Sequence, residues 1–208
     1  KVYYVDFDTP QSMILLISKG DAVYQKSMTP VIRLYNEYFG MNMNSIVFQE
    51  MREARGLAYA AGSIYQEPAK KDRSYYNISY IATQYDKVDE AIIGFNDLTN
   101  HFPESTQAFE IAKEAVVQNV RTERITGKNI LFTYESAKDL GLKEDIRKSI
   151  FEQVQNYKFE DLKRFQEENI KGKNSIILVL GNKKDLTPKQ LKKYGKVKVL
   201  KLKNIFGY

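Results

Sequence analysis

Apolar residues first alternate, then recur at helical spacing, then alternate again along this chain, and that sequence of periods divides it into strands, a helical middle and closing strands. Residues 2–7 and 12–17 are two strand candidates joined through Asp8-Thr9-Pro10-Gln11. The second is almost wholly apolar (Met13, Ile14, Leu15, Leu16, Ile17), which predicts a strand inside a sheet. After Gly20-Asp21 a stripe of Val23, Met28, Val31, Ile32, Leu34, Tyr35 and Tyr38 predicts a helix to Phe39, kinked at Pro30 and closed by Gly40. A second helix is expected from Asn44 as cap through Ile46, Val47, Phe48 and Met51, ending at Gly56. Strands at 57–65 and 74–81 then read as a hairpin with a charged, exposed tip. Its tyrosines fall on both alternating sets, as if a partner domain covered the second face.

From Asp86 to about Phe165 the period is helical. Val88, Ala91, Ile92 and Phe95 form one stripe, His101-Phe102-Pro103 a break, and Glu104 or Ser105 the start of a helix carrying Phe109, Ala112, Val116, Val117 and Val120. Thr126-Gly127 and Leu140-Gly141 mark further breaks, followed by a stripe of Ile146, Ile150, Val154 and Tyr157 and a helix from Phe159 to Glu168. Strands at 175–181 and 196–202 bracket a short helix opened by Thr187-Pro188. With no internal repeat and no Pro/Gly linker, this order predicts one α+β domain over residues 1–208, its antiparallel or mixed sheet covered by helices mainly on one face.

The chemistry of interest lies in Phe48 to Tyr59, FQEMREARGLAY. Arg52 falls on the last turn of the expected helix and Tyr59 just inside the expected strand, so a reversal at Gly56 would bring a guanidinium fork beside a phenol. Both groups donate hydrogen bonds suited to a peptide carbonyl or a carboxylate. This helix, glycine and strand with Arg and Tyr at R-x6-Y spacing resembles the C-terminal-half signature of the pitrilysin and insulin-degrading zinc peptidases, the inverzincins related to the mitochondrial processing peptidase. The lead-in Gly40-Met41-Asn42-Met43-Asn44-Ser45 and the terminal Ile205-Phe206-Gly207-Tyr208 fit the same domain. The resemblance implies the C-terminal, zinc-free and inactive domain of such a peptidase. Arg52 and Tyr59 would bind peptide substrate near the scissile bond, while zinc is held by an H-x-x-E-H helix in a catalytic partner domain of the same chain or another subunit. It implies no cofactor on this chain, and a bacterial periplasm or cytoplasm for a pitrilysin-like parent.

Composition narrows the alternatives. Of 208 residues, 43% are apolar and 12% aromatic, enough for a packed core, and no apolar run reaches the roughly 18 residues of a membrane helix. The chain opens inside a strand pattern, as an excised or mature piece would. Absence of cysteine rules out disulfides and thiolate metal sites, and a single histidine, His101, rules out a multi-histidine site within one chain. His101-Phe102-Pro103-Glu104-Ser105 echoes H-x-x-E-H but puts Ser where the second imidazole belongs, so this polypeptide is not expected to hydrolyse peptides alone. Asn182-Lys183-Lys184-Asp185 matches the guanine-reading N-K-x-D, yet no phosphate-cradling glycine loop accompanies it. Asn77-Ile78-Ser79 fits a glycosylation sequon inside an expected strand. The net charge of +6 arises largely from late lysines such as Lys184, Lys189, Lys192 and Lys193. That charge leaves a nucleic-acid-binding module as one rival reading. A non-peptidase assembly subunit of the same fold, like the family's respiratory-complex core proteins, is the other.

Overall fold

The computed structural model describes residues 1–40 and 42–207, so Met41 of the lead-in turn and Tyr208 at the terminus lie outside the described residues. Strand β1 (Val2–Asp6) leads to β2 (Ser12–Val23), which runs well past the expected end. The alternation explains it: Ser18 and Gly20 still point into the core and Lys19 outward, so Gly20-Asp21 continues the strand instead of opening a helix. Helix α1 (Thr29–Tyr35) begins only after a tight turn at Lys26–Met28, with Pro30 in its first turn. A proline there forfeits no intrahelical hydrogen bond, so it starts the helix and does not kink it.

A wide π-helical turn, Asn36–Gly40, closes that helix. A Cβ on Gly40 would collide with the Ser63 carbonyl oxygen, so the glycine permits the helix end to touch the sheet. Next come α2 (Ile46–Phe48), the hairpin β3 (Ala60–Gln66) and β4 (Ser74–Thr83), then α3 (Val88–His101), α4 (Thr106–Thr122), α5 (Asn129–Asp139), α6 (Ile146–Val154) and α7 (Phe159–Asn169). The expected cap at Ser105 is present, its side chain accepting from Ala108 N at 3.2 Å. The chain returns as β5 (Ile176–Gly181), a short helical turn Gln190–Tyr194, β6 (Val197–Leu200) and α8 (Leu202–Phe206).

The strands form one mixed sheet in the order β3-β4-β2-β5-β1-β6. β1 pairs in parallel with β5 and β6; the remaining pairs are antiparallel. β2 is interior, as its composition predicts, but β5 separates it from β1, so the two sequence neighbours do not pair. Helix residues such as Ile32, Leu34, Phe39, Phe95 and Leu162 pack with Val2, Tyr4, Ile14, Ile81 and Val179 of the sheet in one buried core. Buried phenols find partners: Tyr4 donates to the Gly181 and Leu186 carbonyls, and Tyr35 to Gln166, whose amide donates to Thr99 O.

On the opposite face the central outward positions are also apolar, with Lys19 of β2 and Lys198 of β6 at the margins. The register aligns Tyr80, Leu15, Leu178 and Tyr3 in one row across four strands, and Ile64, Ile78, Ile17 and Ile176 in the next. All are partly or fully exposed. A sheet that meets water on one face normally carries polar residues there.

Candidate functional site

The corner between α2 and β3 is built from a cap, a wide turn and a glycine. Ser45, not Asn44, caps the helix: its Oγ accepts from Phe48 N and donates to Asn42 O. Asn44 instead gives its N–H to Asn42 Oδ1. After Phe48 the helix widens into a π-helical segment, Gln49–Ala54, in which Arg55 N bonds to Glu50 O at 3.1 Å. Leu57 N then reaches back to Met51 O at 2.9 Å, across Gly56, whose φ of 58° is the left-handed conformation expected of a helix stop.

Neighbouring elements fix this corner from below. Met51 and Leu57 are buried, Thr83 Oγ1 donates to Leu57 O, and Lys87 Nζ donates to Gly56 O at 3.1 Å. Tyr59 stands one residue before β3 and not inside it, although its N–H already bonds to Ala82 O at 3.1 Å. The ladder thus begins at Tyr59 while the strand proper begins at Ala60, since Leu57 must first descend into the core.

Arg52 and Tyr59 come together on the surface of this corner. The Arg52 Cζ lies 6.0 Å from the centre of the Tyr59 ring and 4.8 Å from that of Phe48, so the guanidinium sits against two aromatic rings. Tyr59 is 74% exposed, and the Arg52 side chain 42%. The nearest charge to Arg52 is Glu53, Nε to Oε1 at 3.6 Å, too long for a hydrogen bond. Among the described residues no hydrogen bond engages either the guanidinium or the phenol, so both keep their donors for something else. Arg55 differs: it donates to Asp97 at 3.0 Å, and Asp97 also meets His101 Nδ1 at 2.8 Å. Those two hydrogen bonds hold the Asp97 carboxyl below its usual range. The π-helical widening and the ring of Phe48 escaped sequence reasoning; i,i+4 spacing from Phe48 to Arg52 was the available signal for the second.

Other motifs resolve into local structure. Asn182 gives its side-chain amide to Asp8 and its Oδ1 accepts from Lys184 N, so N-K-x-D is a tight turn after β5. His101 is exposed at the end of α3 and hydrogen-bonded to Asp97, and among the described residues no group of His, Cys, Asp and Glu is placed to hold a metal. The residues present therefore do not fit a zinc site. No helix among the described residues is long and apolar enough to cross a membrane.

Fold and corner together define an α+β domain with a mixed sheet, helices over one face, and a surface Arg/Tyr donor pair where helix turns into strand. Residues 1–116 match the family model described as the peptidase M16 inactive domain, and the chain belongs to that family. Among solved structures it is similar in fold to the peptidase M16 inactive domain from Pseudomonas fluorescens, with a TM-score of 0.70 and 14% identity over 90% of this chain and 45% of that one. The periplasmic protease PqqL from Escherichia coli (TM-score 0.64, 11% identity, 86% of this chain and 20% of that one) has the same fold. So does a chain of complex III2 from Candida albicans (TM-score 0.65, 13% identity, 93% and 49%). The protein thus spans less than half the length of each. No curated protein matches its sequence.

Proposed function

We propose that this domain forms one wall of the peptide-binding chamber of an M16 zinc peptidase and supplies hydrogen-bond donors to the substrate backbone. The observation that carries the reading is the corner at Gly56, where an M16-family chain presents an exposed guanidinium and an exposed phenol side by side with their donors unspent. Tyr59 orients a peptide carbonyl. Arg52 donates to the same segment and lowers the cost of negative charge as it develops on the carbonyl oxygen. The metal and its activated water belong to a companion catalytic domain, in the same polypeptide or another subunit. That domain covers the apolar outer face of the sheet.

The test is made in the assembly that contains both domains. Arg52→Ala and Tyr59→Phe are each expected to slow hydrolysis of an internally quenched peptide at least tenfold, with zinc content unchanged. Normal turnover in both variants overturns the reading. A second reading, an assembly subunit without peptidase activity, draws on the similarity to a complex III2 chain. It requires a companion domain lacking H-x-x-E-H and predicts no hydrolysis at all.

A further inference from the structure

We infer that Phe48 is a positioning residue for Arg52. The inference rests on the function proposed above and extends it by one residue. A long arginine side chain on a surface helix ordinarily samples many rotamers, and ordering it on substrate binding costs affinity. Here three features restrict it. Phe48 lies one turn before Arg52, and its partly buried ring sits 4.8 Å beneath the guanidinium carbon. The centre of the Tyr59 ring lies 6.0 Å from the same carbon. Glu53 draws on Nε from 3.6 Å without forming a hydrogen bond.

An aromatic face attracts the cation without consuming a single N–H, because the contact is made by the π cloud and not by an acceptor lone pair. Phe48 therefore orders the guanidinium while leaving its donor edge free, which an acidic neighbour at hydrogen-bonding distance would not do. Arg52 lies within the wide π-helical turn that begins at Gln49, and that turn sets where it emerges relative to the ring.

The experiment is a double-mutant cycle in the assembly that contains the catalytic domain, with an internally quenched ten-residue peptide as probe. Phe48→Leu is expected to raise KM roughly two- to fivefold, the size of an exposed cation–π contact, with kcat altered less. In an Arg52→Ala background the same substitution is expected to change nothing further. Phe48→Tyr, which keeps the aromatic face, should restore the wild-type KM. An isosteric check replaces Phe48 with pentafluorophenylalanine, whose electron-poor face repels a cation. It should behave like Phe48→Leu, and it carries the test should that variant not fold. Equal losses with and without Arg52, or a fluorinated ring that leaves KM unchanged, would overturn the positioning role and show Phe48 to be packing alone. Failure of the underlying reading looks different: Arg52→Ala itself would then turn over normally.

Discussion

At the scale of single residues, the donor pair depends on one backbone angle. Gly56 has φ of 58° and nothing within 4 Å of where a Cβ would stand, so a side chain there meets no steric obstacle, only the intrinsic cost of the left-handed region. Gly56→Ala should accordingly lower stability by about 1 kcal/mol in urea denaturation, and Gly56→Asn by less, since asparagine tolerates that conformation. An alanine variant as stable as the parent would mean that the corner does not need its glycine. The glycine stop and the two side chains flanking it were legible as a corner because each announces itself by type: a glycine after a helical stripe, with an arginine before it and a tyrosine after it at fixed offsets. Asn44 misled for the same reason, being a good cap by type. The Asn42 side chain and backbone carbonyl instead engage Asn44 N and Ser45 Oγ, and the cap moves to Ser45. No propensity scale contains that competition.

At the scale of elements, periodicity identified nearly every helix and strand but placed boundaries poorly wherever a tertiary contact overrode it. β2 reads as ending at Ile17, with Gly20-Asp21 as a turn before a helix, yet its pairing with β4 carries it to Val23. Helix α5 lies in the stretch of helical period, yet its Ile130, Leu131, Phe132 and Tyr134 are all at least 58% exposed. The layer between helices and sheet offers a sharper test, because it is rich in tyrosine. Tyr4 from β1, Tyr38 from the turn after α1, Tyr65 from β3 and Tyr75 from β4 are all buried, and burial, the leading cause, pushes each phenol up to about 12. A phenol is neutral while protonated, so the folded state holds these protons over a range in which the unfolded chain, titrating near pH 10, releases them. Stability is therefore complete below about pH 10 and declines as the pH rises towards 12, by up to about 1.4 kcal/mol per pH unit for each such group. Thermal melting followed from about pH 8 to 11.5, with phenolate absorbance recorded alongside, should show the midpoint falling steeply above pH ~10. A flat midpoint across that range would mean that the helices do not depend on neutral tyrosines to stay on the sheet.

At the scale of the whole molecule, the sheet is apolar on both faces and only one face is covered by helices. From the sequence this was visible as tyrosines on both alternating sets of the hairpin and as an uninterrupted apolar run in β2. The row order was not, because it follows from β5 inserting between β1 and β2, a pairing between residues more than 150 positions apart. Such a face marks an interaction surface when it is contiguous and central, and Leu15 and Leu178 are neighbours in the middle of it. Lysine at either position in the isolated chain can extend into water, so stability should change by less than about 1 kcal/mol. Against a companion domain the same lysine would be buried without a counter-charge, which costs several kcal/mol. Leu15→Lys alone should thus abolish co-purification of this domain with a separately expressed catalytic domain, while leaving the melting temperature of the isolated chain nearly unchanged. Unfolding of the isolated variant would assign the outer face to the domain's own core. Undiminished co-purification would move the companion domain to another surface, and with it the chamber that Arg52 and Tyr59 are proposed to line.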